Sequence, residues 1–310
     1  GGAAGGAPAP DSEPEPARQE EPEEEPISIE YYLGKLEAES EFSEADWTAK
    51  TAGKPGPIHL LLRWPSGAGS TTANFVKASE VLLKAGSGLS RVTFLKIHAP
   101  LDAGAGAQAL IDIIKTAKPA KLEFFSAKPL SLAVMEAPEG LTSLSLNMVE
   151  DECVPVVAKC VEKNAKTLTH LSMGYWNVGN VGAQTILSKT QVLEDFSLFV
   201  AHFSDVEPVV QLLGKNRIRR LMLVGNEINH EGAKAIAAAV AKNTSLKEIL
   251  LSNNKIGKTG ADAVVAALKA RADAGTGLEK AQLHFLGISK AQETKIRDTL
   301  PPALKGVVSV

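Results

Sequence analysis

The sequence predicts an α/β solenoid in which one β-strand followed by one amphipathic helix is repeated along the chain. Three observations predict it. Runs of the form L-x-x-L-x-L begin at Leu141, Leu168, Leu193, Ile218, Leu246 and Leu278, 25 to 32 residues apart. A helical stripe follows, clearest in Ala233, Ile236, Ala237 and Val240, which share one face at 3.6 residues per turn. A strand with one such helix cannot bury its apolar face alone, so neighbouring units must stack.

The clearest units are IRRLMLVGNEINHEGAKAIAAAVAKN, from Ile218 to Asn243, and LKEILLSNNKIGKTGADAVVAALKA, from Leu246. Both fit L-x-x-L-x-L-x-x-N-x-I, then a glycine, then an Ala-rich helix. Asn226 matches Asn254, Ile228 matches Ile256, and Gly232 matches Gly260. The segments at Leu89 and Leu122 fit less well, and HLLLRW supplies an earlier strand. On these motifs the chain resembles the leucine-rich-repeat family, in its ribonuclease-inhibitor-like branch, from about Ile58 to Lys290. The resemblance implies a curved parallel β-sheet on a concave face and helices on a convex face. The repeat asparagine is replaced by Val149, Trp176, Ala201 and Leu286 in other units, so an irregular horseshoe with most of its asparagine ladder missing is expected.

The expected organisation is an acidic low-complexity tail over 1–26, an amphipathic helix and linker or N-terminal cap over 27–57, the solenoid over 58–290 and a C-terminal cap over 291–310. The tail, GGAAGGAPAPDSEPEPARQEEPEEEP, has nothing with which to build a core. Residues 1–46 carry 14 acidic residues against Arg18 and Lys35, whereas the remainder has 31 basic and 22 acidic residues. The overall charge of −3 therefore conceals an acidic end at −12 and a basic body at +9. The tail reads either as solvated chain or as a segment lying along a basic partner. In ISIEYYLGKLEAESEF, Ile29, Tyr32, Leu33 and Leu36 follow i, i+3, i+4, i+7 spacing, which predicts a short helix. That helix is either a cap on the first repeat or an anchor for a partner's groove.

Two glycine-rich turns invite a nucleotide reading. PSGAGSTT after HLLLRW has Gly67 and Gly69 two apart and no lysine before Ser70 or Thr71, so the cation that a phosphate-binding loop needs is missing. Ser70 or Thr71 is the expected N-cap of a plain strand-to-helix turn. Gly104-Ala105-Gly106-Ala107-Gln108-Ala109 has the dinucleotide spacing, but its one acidic candidate, Glu123, falls in mid-strand. No H-E-x-x-H, Cys/His cluster or G-x-S-x-G occurs, and Cys153 and Cys160, seven apart on one expected helix, read as reduced core thiols. No catalytic residue, cofactor or metal is expected.

No run of 18 apolar residues is present, so no membrane span is expected, although an assembly containing the chain could be membrane-bound. Arg217, Arg219 and Arg220 lack aromatic platforms, which argues against nucleic acid and for an acidic protein surface or the chain's own tail. The initial Gly reads as a processed end after removal of an import presequence. With the basic body this gives a mitochondrial, matrix-side location, and otherwise a cytoplasmic one.

Residues between and after the framework leucines should face away from the helices. Across successive units these are Thr93, Glu123, Ser145, Ser172, Ser197, Met222, Leu250 and Gln282, and then Leu95, Phe125, Asn147, Gly174, Phe199, Val224, Ser252 and His284. Phe199, Met222, Val224 and Leu250 then form an apolar patch beside Arg219 and Arg220, as interfaces do. These six, with Ile29, Tyr32, Leu33 and Leu36, are the candidate partner-binding residues. The functional expectation is a non-enzymatic protein-binding scaffold or accessory subunit of a large assembly. In its Ala-rich, degenerate repeats the chain looks like accessory subunits of mitochondrial complexes, such as the peripheral stalk of the ATP synthase of colourless chlorophycean algae. The alternatives are a soluble regulator similar to ribonuclease inhibitor or to the activator of the Ran GTPase, and a nucleotide-binding enzyme.

Overall fold

The computed structural model describes residues 25–32, 43–63, 72–84, 88–98, 105–125, 135, 138–147, 151–175, 177–284 and 286–310. The α/β solenoid expected from the repeats is what forms. Eleven parallel strands lie in one open sheet whose spatial order is the order of the chain. They are β1 (Ile27–Tyr32), β2 (Ile58–Arg63), β3 (Val92–His98), β4 (Lys121–Phe125), β5 (Ser143–Asn147), β6 (His170–Gly174), β7 (Asp195–Phe199), β8 (Arg220–Met222), β9 (Glu248–Leu250), β10 (Lys280–Gln282) and β11 (Val308–Ser309). The connecting helices are α1 (Glu44–Thr51), α2 (Thr72–Lys84), α3 (Ala105–Ala117), α4 (Val154–Lys163), α5 (Gly179–Leu187), α6 (Glu207–Gly214), α7 (His230–Lys242), α8 (Gly257–Asp273) and α9 (Lys290–Thr299).

Framework leucines explain this arrangement. Leu144, Leu171, Phe196, Leu221, Ile249 and Ala281 stand in register on consecutive strands, each at most 1% exposed. They meet the helix stripes, of which Ala233, Ile236, Ala237 and Val240 in α7 behave as the spacing predicts. Alternate strand residues are left on the opposite, open face. Glu123, Ser145, Ser172, Ser197, Met222, Leu250 and Gln282 share one row of that face, alternating with the framework residues.

One strand departs from the expected frame. In β3, Leu95 is buried and Phe94, Lys96 and His98 take the open-face register, pairing with Lys121, Glu123 and Phe125. A register irregularity between Ile58 and His59 accompanies the shift. The signal was Lys96 between Leu95 and Ile97, since a charge flanked by two apolar residues marks the solvated side of a strand.

The short helix expected at Ile29, Tyr32, Leu33 and Leu36 is also corrected. Ile27–Tyr32 is a strand pairing in parallel with β2, and Ile29 is a core residue. Leu33 and Leu36 lie outside the described residues, as do Gly67, Gly69, Ser70, Thr71 and Gly104. The same residues carry a period of two, Ile27, Ile29 and Tyr31, and edge pairing satisfies a β-branched run that helix spacing alone could not place. Tyr31 donates to Asp46 Oδ2 at 2.9 Å and lies near Trp47, which docks α1. At the other end, the region expected as a cap contributes α9 and then the two-residue β11, a short strand that blunts the sheet edge.

Beyond the strands, at matching positions of successive units, one backbone position recurs in left-handed conformation: Tyr175 (φ 51), Val200 (φ 48), Gly225 (φ 70) and Asn253 (φ 57). Each donates its N–H to the next unit, as Val200 does to the Val224 carbonyl at 3.1 Å. Only Gly225 suits that conformation without cost, and a β-branched residue suits it worst. Val200→Asn is expected to raise the unfolding free energy by about 1 kcal/mol, read from the urea midpoint. A lower midpoint would mean that the contact of Val200 with Gly225 outweighs the strain.

Candidate functional site

The open face between β6 and β10 is organised as three rows running across the strands. The first is charged: His170, Asp195, Arg220, Glu248 and Lys280 occupy matching positions on β6 to β10. His170 Nε2 lies 2.9 Å from Asp195 Oδ2, and Arg220 Nη1 lies 3.6 Å from the same oxygen. Arg220 also forks onto Glu248, with Nε and Nη2 each at 3.2 Å from a carboxylate oxygen. This bidentate bond, followed by the nearby carboxylates, raises the Arg220 pKa further. His170, Asp195, Arg220 and Glu248 of this row line an open depression of about 280 Å³, to which Glu194 and Arg219 also contribute.

The second row is Ser145, Ser172, Ser197, Met222, Leu250 and Gln282, and it changes from hydroxyls to apolar groups at β8. The third is Asn147, Gly174, Phe199, Val224, Ser252 and His284, continued past the short strands by the bonds from Val200 to Val224, Gly225 to Ser252 and Asn253 to His284. Gly174 allows the Phe199 ring to lean over β6, because a Cβ there would stand 3.3 Å from Phe199 Cδ2 and 2.9 Å from Asn147 Oδ1.

The structure thus brings Phe199, Met222, Val224, Leu250 and Arg220 onto one face of three adjacent strands. Phe199, Met222 and Val224 are half-buried, while Leu250 is 7% exposed and offers little surface. Arg220 is already engaged by Asp195 and Glu248. Arg219 is exposed at the turn before β8, with Arg217 nearby on the same rim. Ile29 is seven strands from β8 and faces the core, so its docking role falls with the helix on which it was placed. The side chain of Tyr32 is not among those described.

The register of β3 brings together a second cluster that the repeat spacing does not reveal. His59 and Phe94 meet edge-on at 5.4 Å between ring centroids, and His98 and Phe125 at 4.7 Å. Lys96 Nζ lies 2.7 Å from Glu123 Oε1 between the two ring pairs. Burial, followed by repulsion from Lys121, lowers the His59 pKa. Glu123, the acidic candidate of the dinucleotide reading, is therefore committed to Lys96. Elsewhere, burial pushes the Cys160 thiol up to about 12, far from a reactive thiolate. Among the described residues, no three His, Cys, Asp or Glu side chains converge as metal ligands, and no helix is long and apolar enough to cross a membrane.

Comparison with known proteins agrees with this geometry. A family profile described as Leucine Rich repeat matches residues 217–237 and 242–265, the two units that contain β8 with α7 and β9 with α8. No curated protein matches the chain. With eleven parallel strands in chain order alternating with helices, the fold is an open α/β solenoid consistent with leucine-rich repeats, an architecture suited to a protein-interaction scaffold.

Proposed function

We propose that the chain is a non-catalytic scaffold that holds protein partners on its open face at β7 to β9. The observation that carries this reading is the continuous half-exposed apolar group of Phe199, Met222 and Val224 beside the His170–Asp195–Arg220–Glu248 row. The apolar group supplies desolvation, and the charge row supplies orientation without a free nucleophile or base. A finer reading is a structural accessory subunit of a large assembly, with the mitochondrial ATP synthase peripheral stalk as one instance. Its support is the Ala-rich, degenerate character of the repeats.

The test is the native mass of the endogenous protein in a gentle extract, compared with that of a Met222→Glu/Val224→Glu replacement. Both side chains point away from the helices, so the fold should survive the change. The wild type is expected to migrate within a large complex, and the variant near the monomer mass of 32.6 kDa. A wild-type protein that itself migrates as a monomer would overturn the subunit reading in favour of a soluble regulator. A variant that stays in the complex would remove the open face from the contact.

A further inference from the structure

The two rims of the solenoid differ in charge because successive helices all point the same way. Helix C-termini and strand starts share one rim, and helix N-termini and strand ends share the other. Last turns carry Lys50, Lys84, Lys115, Lys163 and Lys242, while first turns carry Glu44, Asp46, Glu207, Glu231 and Glu293. Each charge complements the dipole of its own helix, and parallel stacking adds the effects along the molecule.

On the cationic rim, Glu139, Glu162 and Glu279 are already paired with Lys163, Lys189 and Lys247. Lys54, Lys118, Lys166, Arg217 and Arg219 are exposed and have no carboxylate within ion-pair distance among the described residues. A line of exposed cations without ion-pair partners over many units is a surface suited to an extended polyanion.

One such polyanion is tethered at the rim itself. β1 begins at Ile27, whose N–H donates to the Pro57 carbonyl at 2.8 Å. Glu25 and Pro26 are exposed beside that turn, which contains Lys54. Arg91 braces the turn by donating to the Lys54 and Gly56 carbonyls. Glu25, the last of the eight acidic residues from Asp11 onward, therefore lies where the cations are, and Arg18 is the one basic residue in that stretch. A Pro-rich extended chain advances ~3.1 Å per residue, so Asp11 can reach about 43 Å from Glu25. Seven interstrand spacings, from β1 to β8, amount to about 34 Å, which places Arg217 and Arg219 within reach.

We infer that the acidic tail over Asp11–Glu25 docks in cis along this cationic rim and masks it from other acidic partners. Charge complementarity selects the segment, and the tether gives it an effective concentration in the millimolar range, so weak and salt-sensitive pairing suffices. This inference does not depend on the open-face contact, since it concerns a different surface.

Carbodiimide coupling of the full-length protein, with mass-spectrometric mapping, tests it directly. At 20 mM NaCl, tail carboxylates are expected to couple to Lys54, Lys118, Lys121, Lys166 and Lys215 at least five-fold more than to Lys234, Lys255, Lys258 and Lys290. The excess should vanish at 500 mM NaCl. A full-length variant with all eight acids neutralised, Glu→Gln and Asp→Asn, should bind a poly-glutamate peptide about ten-fold more tightly than wild type. Equal coupling to both rims, or unchanged peptide affinity, would overturn the inference. Links between chains in a ¹⁴N/¹⁵N mixture would assign the rim to a second copy instead. An oligonucleotide that abolishes the coupling where the glutamate peptide does not would assign it to nucleic acid.

Discussion

Replacing Asn254 with alanine is expected to lower the unfolding free energy by about 3 kcal/mol, because two rungs of the solenoid lose their partners together. The Asn254 side chain is 4% exposed. Its Oδ1 accepts from the Ile228 N–H at 3.1 Å, and its Nδ2 donates to the Leu223 carbonyl at 2.7 Å and the Leu251 carbonyl at 2.8 Å. Alanine would leave buried backbone groups of two consecutive units without those bonds, and no water-sized polar route replaces them in a packed interior. Leucine, which stands at the matching position as Leu286, should not rescue the site. There the preceding unit's Leu251 carbonyl is already satisfied by Asn254 itself. Asn226, which accepts from Ala201 N–H and donates to the Leu198 carbonyl and, at 3.4 Å, to the Val224 carbonyl, should follow the same rule at about 2 kcal/mol. Urea unfolding measures both, and a loss below 1 kcal/mol for Asn254→Ala would show that the loop finds new partners.

The asparagine pair also shows what the sequence could reveal. Asn226 and Asn254 stand out because each sits at a fixed place in a regular unit, and regularity is visible without coordinates. A second set of asparagines does the same work on the other rim, outside the repeat motif. Asn164 Oδ1 accepts from Leu141 N–H, Asn243 Nδ2 donates to the Leu213 carbonyl, and Asn216 Oδ1 accepts from Thr244 N–H. Each follows a lysine near a helix end, Lys163, Lys215 and Lys242, and that recurring Lys-Asn pair was the available signal. It is easily taken for ordinary helix-end composition, because lysine and asparagine suit such positions in any helix.

The open face was legible where the strands keep a period of two and the framework leucines are intact. Phe199, Met222 and Val224 fall in the rows that this period assigns them. What a linear reading could not supply was the chemistry between strands. His170, Asp195, Arg220 and Glu248 are 25 to 28 residues apart in sequence and adjoin only because the parallel register is exact to the residue. Arg220 therefore looked like a free contact residue, whereas two neighbouring strands engage it. The N-terminal strand is ambiguous for a different reason: Ile29 satisfies both a helical and a strand period, and only the vacant edge of β2 decides between them.

Gly260→Leu is expected to cost about 3 kcal/mol, and the reason is how closely the helices of consecutive units approach. A Cβ at Gly260 would stand 2.8 Å from Ala233 Cβ and 3.2 Å from His230 Cα, both parts of α7, and 2.6 Å from Ile256 Cγ2. The isoleucine methyl can turn away, but the α7 backbone cannot move without lifting its stripe off the sheet. Ala233 is fully buried beneath this contact. Even Gly260→Ala should lose about 1 kcal/mol, although alanine is the better helix former by a similar amount. Gly214→Ala supplies the contrast, since a Cβ there meets nothing within 4 Å and the change should be neutral or stabilising. Pairing Gly260→Ala with Ala233→Gly should recover part of the loss in a double-mutant cycle on the urea midpoint, because the second change removes the atom that the first one strikes. Additive effects would locate the strain within α8 and its own Ile256. Compensation would show that the Gly-Ala pairs of adjacent helices, repeated at Gly232-Ala233 and Gly260-Ala261, set the spacing at which one unit stacks upon the next.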